Sequence, residues 1–438
     1  MLTDANNTIE YIIRFLLGDS ASEEIASTIG YTTDKNRYGE YKIVIQPSGF
    51  FDDNTYGTPQ SLPTIPLNKL DDTPLLFGDN QEEVVGETLV LHADIIASTY
   101  FLISRYEEMV RADVRDQHGR FPGKESLPYK ANALHRPVVD EYGRYLRMKL
   151  QQQGIDTGSR EEGIRRVYLT HDVDAPFYCR SFRNVARETW KGKGLFFALK
   201  SKFGALERDL NYTFPWLFSE NNRLQKALGA KRCQTVVFFK AGGKALQDNP
   251  IYNLNSKDIK RLLELCNSMQ IEVGLHSSYQ AGIHPKEISG EKAHLEQAIS
   301  QRITLNRHHF LTCRQPEDME HLHEAGIEHD FTMGYADVAG FRLGTCRPVR
   351  YINPTTKQLS SLLLHPMTVM ECTLSDDKYM KLSYEEALTY SQDLLAQVSK
   401  HGGEVVLLWH NSAIAGDCGY LKHLYTDLLN DLIAKGCL

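Results

Sequence analysis

The sequence predicts an α/β fold: a distorted (β/α) barrel of about seven strands, closed or nearly so, preceded by a smaller α+β domain. Three observations carry this. Short apolar runs alternate with amphipathic helical patterns through residues 165–438. The stretch QQQGIDTGSREEG, residues 151–163, is polar, rich in Gly and Ser and without periodicity, and marks a boundary. The residues before it mix strand and helix patterns without regular alternation. The domains therefore read as 1–160, of unassigned role, and 165–438, and 438 residues suffice for two cores. An open doubly wound sheet is the alternative architecture for the second part.

In chain order, Ile9, Ile12, Ile13 and Leu16 fall at helical spacing, so an amphipathic first helix is expected. A secretory leader would carry positive charge where this chain has Asp4 and two amides. YKIVIQ reads as a strand, Pro47–Pro74 as a Pro- and Asp-rich loop, and DIIASTYFLISRYEEMV (94–110) as one helix. This part shows no catalytic constellation, and His92 and His135 read as surface or packing residues. Beyond the boundary, strands are expected in RVYLTHDVD, TVVFFK, IEVGLHSS, near NRHHFLTC, near HDFTMGYAD, in LLLHPMTVM and in EVVLLWHN. Between them, Ile259, Leu262, Leu263 and Cys266 share a helical face, and Ser383 and Glu386 have capping-box spacing. The last helix carries an apolar stripe from Leu421 to Leu432.

A net charge of −7 argues against a sequence-independent nucleic-acid binder, which needs an excess of Lys and Arg. No run approaches the ~20 apolar residues of a membrane span. Eight cysteines, at 179, 233, 266, 313, 346, 372, 418 and 437, contain no CxxC pair, which suits reduced thiols and a cytoplasmic protein. Most read as packing residues; Cys372 and Cys418 lie near the motifs described next.

In VYLTHDVDAP (167–176), strand alternation puts Val167, Leu169, His171 and Val173 on one face and Tyr168, Thr170, Asp172 and Asp174 on the other. The apolar face should pack under helices, leaving both carboxylates at the barrel mouth, where sites of (β/α) barrels form. Paired carboxylates there can divide into metal ligand and proton acceptor, or can cap a helix and make a salt bridge. His276 ends another strand above Gly274 on the same face, and His410 ends the last after five apolar residues. Two Asp and two His delivered by three strands to one rim point to chemistry rather than packing.

LTHDVD, GLHSSY, NRHHFL and LLWHN occur in the order of the motifs of NodB-type polysaccharide deacetylases, carbohydrate esterase family four, over roughly residues 165–415. The whole chain resembles a bacterial subgroup in which a domain of unassigned role precedes a deacetylase-like domain, through STYFLISRYEE, HRPVVDEY and DFTMGYADVAGFRLGTCRP. The resemblance implies removal of N-acetyl groups from a sugar or glycan-biosynthesis intermediate with a divalent metal, zinc first, cobalt or manganese next. It implies Asp172 as catalytic base, Asp174 and His276 as metal ligands, Arg307 as the partner of the base, and His410 as general acid. Glu371 is the first candidate to orient His410, and Asp330 the second. Tyr279 and Tyr335 are candidates to line a sugar surface.

One position departs from the family: Gln280 stands where a third metal-binding histidine is usual, and an amide oxygen is a poorer zinc ligand than imidazole. Gln280 binds weakly, His284 or His171 substitutes, or no metal is tightly held; a two-residue ligand set completed by water or substrate is the expectation. A metal-independent amidohydrolase and a non-catalytic glycan-binding relative are the rival readings. A cytoplasmic location would favour an intracellular intermediate, nucleotide- or lipid-linked.

Overall fold

The computed structural model describes residues 2–436, apart from 19–20, 159–161, 181–184, 187–188, 191, 193 and 417–418. Cys418 and Cys437 lie outside the described residues. The first helix is Leu2–Leu17, and its stripe of Ile12, Ile13 and Leu16 is buried as helical periodicity requires. It leads into a four-stranded sheet of β1 (Ile29–Tyr31), β2 (Ile43–Ile45), β5 (Gly78–Val85) and β6 (Thr88–Ala93), in the order β1-β2-β6-β5. β1, β2 and β6 run parallel, and β5 is antiparallel to β6.

Two local expectations change here. The stretch expected to be loop ends in a hairpin of β3 (Asn68–Leu70) and β4 (Thr73–Leu75), closed by a two-residue turn in which Asp71 adopts φ 56°. The single helix expected over 94–110 is broken into Ile95–Ile103 and Tyr106–Val110. The break is at Arg105, in the left-handed conformation (φ 59°), and its cause is tertiary. The buried Arg105 guanidinium pairs with Glu108 at 2.5 Å and donates to Cys313 Sγ at 3.1 Å, while Arg342 reaches Glu108 at 2.8 Å.

The second sheet comprises β7 (Arg166–Val173), β8 (Cys233–Phe239), β9 (Glu272–Ser277), β10 (Leu305–His308), β11 (His329–Asp330), β12 (Val349–Ile352), β13 (Leu359–Leu364), β14 (Val369–Met370) and β15 (Glu404–Leu408). Their order is β12-β13-β11-β10-β9-β8-β7-β15-β14. Every segment read as a strand carries one. LLLHPMTVM contributes to two, and β12 is additional, so the sheet has nine strands rather than about seven. Eight run parallel, and β12 lies antiparallel on β13. The outermost strands, β12 and β14, do not pair with each other among the described residues, so the sheet is a curled half-barrel and not a closed barrel. Period-two alternation sorts its faces. Val167, Leu169, Val237, Leu275, Val405 and Leu407 pack outward under helices, and Tyr168, Val236, Phe238, Leu305, Phe331 and Leu408 fill the concave side. The helix Lys257–Ser268 buries Ile259, Leu262 and Cys266, and Ser383 and Glu386 form the capping box that starts Tyr384–Lys400.

The largest apolar cluster runs from Ile12 to Leu432 and draws on both sheets. Buried ion pairs reinforce the join: Glu108 takes Arg105 and Arg342, and Asp140 takes Arg347 at 2.6 Å together with Thr345 Oγ1 and the Cys346 N–H. STYFLISRYEE, HRPVVDEY and DFTMGYADVAGFRLGTCRP are thus the three stretches that lock together here. Among the described residues, no helix is long and apolar enough to cross a membrane.

Candidate active site

At the C-terminal end of β7, alternation turns Thr170 and Asp172 toward the concave side. Asp172 Oδ1 accepts from Arg307 Nη1 at 3.0 Å, and the same nitrogen lies 2.8 Å from Thr170 Oγ1. Arg307, fully buried on β10, also donates Nε to the Phe331 carbonyl and lies over the Phe238 ring, 4.8 Å from its centroid. Gly274 makes room for that ring, because a Cβ there would come within 2.5 Å of Phe238 Cδ1. A glycine, an aromatic ring and a guanidinium thus stack to set the Asp172 rotamer, with Oδ2 left toward the cavity.

Asp174, just past β7, is the centre of the cluster. Its Oδ1 lies 3.1 Å from His276 Nε2 and 3.3 Å from His309 Nε2, and its Oδ2 lies 3.5 Å from His410 Nε2. Burial would raise its pKa, but His309 and His276 beside it pull the carboxyl well below the usual range. The imidazoles are each held from behind. His276 Nδ1 donates to the Arg307 carbonyl at 2.9 Å, and His309 Nδ1 faces Asp248 Oδ1 at 3.2 Å. His410 Nδ1 lies 2.5 Å from Glu371 Oε1, which also accepts the His410 backbone N–H. Burial would lower the His410 pKa, but Glu371, Asp174 and Asp172 raise it to about 10.

These contacts test whether the group suits a metal. A carbonyl and a carboxylate only accept, so Nδ1 of His276 and of His309 carries the proton. In the neutral rings both Nε2 lone pairs then point at Asp174 Oδ1, itself an acceptor. Three acceptors converging in this way need a cation among them or protonated rings. The ligand atoms of Asp174, His276 and His309 lie within 4.8 Å of one another, and an N2O donor set fits zinc or a similar divalent ion.

The cluster opens into a cavity of about 280 Å³ whose wall includes Asp172, Asp174, His276, Glu371, His410 and Arg120. Arg120 comes from the N-terminal part of the chain, held by Asp116 at 2.7 Å and by the Phe310 carbonyl at 2.9 Å. Cys372 also lines the cavity, where burial and then Glu371 keep its thiol protonated.

The other sequence candidates sit elsewhere. Gln280 does not reach the cluster: its amide donates to both Glu287 oxygens and its carbonyl accepts from the Lys244 N–H. His284 is exposed, and His171 points to the outer face, bonded to the Trp409 carbonyl and Asn221, with burial lowering its pKa to about 4. Asp330 serves Asn306 and Thr332 rather than His410, a place Glu371 takes. Tyr279 packs on Phe310, and Tyr335 packs with Phe121, Leu134 and Val338. His92 is half-buried beside Glu83, and His135 is exposed.

Asp174 and His276 are thus joined by His309, which sequence reasoning missed, in a group that could hold a metal. The signal was present: His309 is two residues after Arg307, and period-two alternation predicts that they share a face. Phe310 and Leu311, both at positive φ, turn the chain immediately afterward. Arg120 had no such signal, because only tertiary structure brings it to the cavity.

Residues 2–155 match the model of a family of unknown function, DUF7033. No curated protein matches the sequence. Among solved structures, the chain is similar to a candidate polysaccharide deacetylase from Mycobacterium smegmatis, at 12% identity and a TM-score of 0.36 over 63% of this chain and 87% of that one. It is also similar to a polysaccharide deacetylase from Bacillus cereus, at 12% identity and a TM-score of 0.30 over 62% of this chain and 86% of that one.

Proposed function

We propose that the protein is a metal-dependent hydrolase that removes an N-acetyl group from a sugar or glycan intermediate. The observation that carries this reading is the arrangement around Asp174. Two imidazoles held from behind turn their Nε2 atoms toward its carboxylate, with Asp172–Arg307 and His410–Glu371 flanking the same cavity. Asp174, His276 and His309 would hold the metal, which when bound polarises an amide carbonyl and acidifies a water. Asp172, its Oδ1 committed to Arg307, presents Oδ2 to take a proton from the attacking water. His410, cationic at neutral pH beside Glu371, donates its Nε2 proton to the departing nitrogen, so that acetate and a free amine leave. The Gln280 departure supports a metal-independent amidohydrolase as the alternative, whereas a third donor at His309 supports the metal-dependent reading.

The test is acetate release from a panel of N-acetylated sugars after chelation and reloading with zinc, cobalt or manganese. Chelation is expected to abolish release and reloading to restore it. Full activity in the chelated protein would overturn the reading.

A further inference from the structure

Thirteen large apolar side chains are exposed among the described residues, and eight of them lie on three connections. Trp190 (89% exposed), Phe196 (81%) and Phe203 (70%), with two leucines, lie between β7 and β8; Leu246 (83%) and Ile251 lie between β8 and β9; Ile283 follows β9. These strands are adjacent and parallel, so their outgoing connections emerge side by side at the end of the sheet that carries Asp172, Asp174 and His276. Hydrogen bonds join the second connection to the third, from Lys244 N to Gln280 Oε1 and from Tyr279 N to Asp248 Oδ1. Arg261, on the helix Lys257–Ser268 within the second connection, pairs with Glu207 of the first at 2.6 Å.

The other side of the mouth is covered. There the N-terminal part lies on the loops after β10, β11 and β14, through Arg120 on the Phe310 carbonyl, Gly123 N on Asp337 and Lys124 on the Tyr379 carbonyl. The exposed apolar residues therefore lie on connections that leave the cavity's end of the sheet, outside the cavity wall itself, and burying such a fringe needs a partner.

Charge identifies that partner. From Arg180 to Phe203 the sequence has seven Lys and Arg against one acid, in a chain of net charge −7; Arg180 is paired with Asp209 and Asp258, and Arg183, Arg187, Lys191 and Lys193 lie outside the described residues. Lys200 and Lys202 lie on the helix Leu195–Phe203, between exposed aromatics. Aromatic and leucine side chains interleaved with lysines match the boundary between anionic headgroups and acyl chains. The acidic remainder of the surface is repelled by the same headgroups, which favours one orientation. We infer that this fringe docks the protein on an anionic lipid bilayer, with the cavity mouth beside the membrane. Docking stands apart from the proposed chemistry; that the acetylated sugar is carried on a lipid rests on the hydrolase reading.

The full chain is mixed with vesicles of phosphatidylcholine alone or with about one-third phosphatidylglycerol, and binding is read by sedimentation and tryptophan emission. Trp409 is buried and Trp216 half-buried, so Trp190 dominates the environmental response. Binding to the anionic vesicles with a blue shift is expected, weakened by salt and by about tenfold or more in the triple variant Trp190→Ser, Phe196→Ser, Phe203→Ser. These side chains are exposed, so an unchanged melting curve certifies the variant's fold. Equal sedimentation of variant and parent, or no binding to anionic vesicles, overturns the proposal. So does a dimer that the triple variant dissociates, which would assign the fringe to a second copy. Acetate release from a soluble sugar reports separately on the hydrolase reading and should be unchanged in the triple variant.

Discussion

Replacing Glu108 with Gln should destabilise the whole molecule, because it leaves two buried guanidiniums with no counter-charge. Glu108 is 3% exposed and takes both Arg105 and Arg342. Burial would raise its pKa, but the two arginines lower it from 4.5 to about 2. That shift corresponds to about 3 kcal/mol. Removing one member of a buried ion pair independently suggests about 3–5 kcal/mol. For a chain of this length the loss corresponds to a fall of about 3 °C or more in Tm, read by calorimetry at pH 7. Because folding lowers this pKa, the stabilisation is complete above pH 4.5 and is lost as pH falls toward 2. The difference between parent and variant should therefore shrink on acidification. An unchanged Tm at pH 7, or a difference independent of pH, would refute the assignment of these arginines to Glu108.

Three further outcomes follow from the geometry. Asp172→Asn should lower acetate release by about a thousandfold while zinc content, measured by elemental analysis, stays at the parent level. Asp248→Asn, which weakens the group holding His309 Nδ1, should lower zinc affinity by about 10–100-fold in chelator competition, whereas Gln280→Ala should leave it unchanged. Glu291 has the opposite pH signature to Glu108: burial raises its carboxyl from 4.5 to about 7 despite hydrogen bonds from Ser278. Folding raises that pKa, so its stabilisation is full below pH 4.5 and is lost as pH rises through about 7. The Tm of Glu291→Gln relative to the parent should thus climb between pH 5 and pH 8.

Much of this was legible in the sequence, for reasons of period. Alternation along β7 separated His171 from Asp172 correctly, and the apolar run before His410 placed its ring at the same rim as Asp174 and His276. Glu371 came from the family resemblance, which calls for an acidic group to orient His410, and the structure places it at His410 Nδ1. The same alternation would have selected His309, but the shifted attention to Gln280 came from motif spacing rather than from strand geometry. Features set by distant partners were not legible. Arg105 breaks a strongly helical pattern because Glu108, Cys313 and Arg342 surround it, and no local residue announces that. The open edge of the half-barrel depends on β12 and β14, only four and two residues long, too short for period to identify. Arg120 reaches the cavity from the other end of the chain.

The reach of Arg120 and the pairing of Asp140 with Arg347 bear on any attempt to use the second half as a transplantable catalytic module. Cutting the polypeptide near residue 160 would remove Arg120 from the cavity wall and strand Arg342 and Arg347 without Glu108 and Asp140. It would also bare the apolar surface that the first helices cover. A graft onto another scaffold should therefore carry both halves, so that Arg342 and Arg347 keep Glu108 and Asp140.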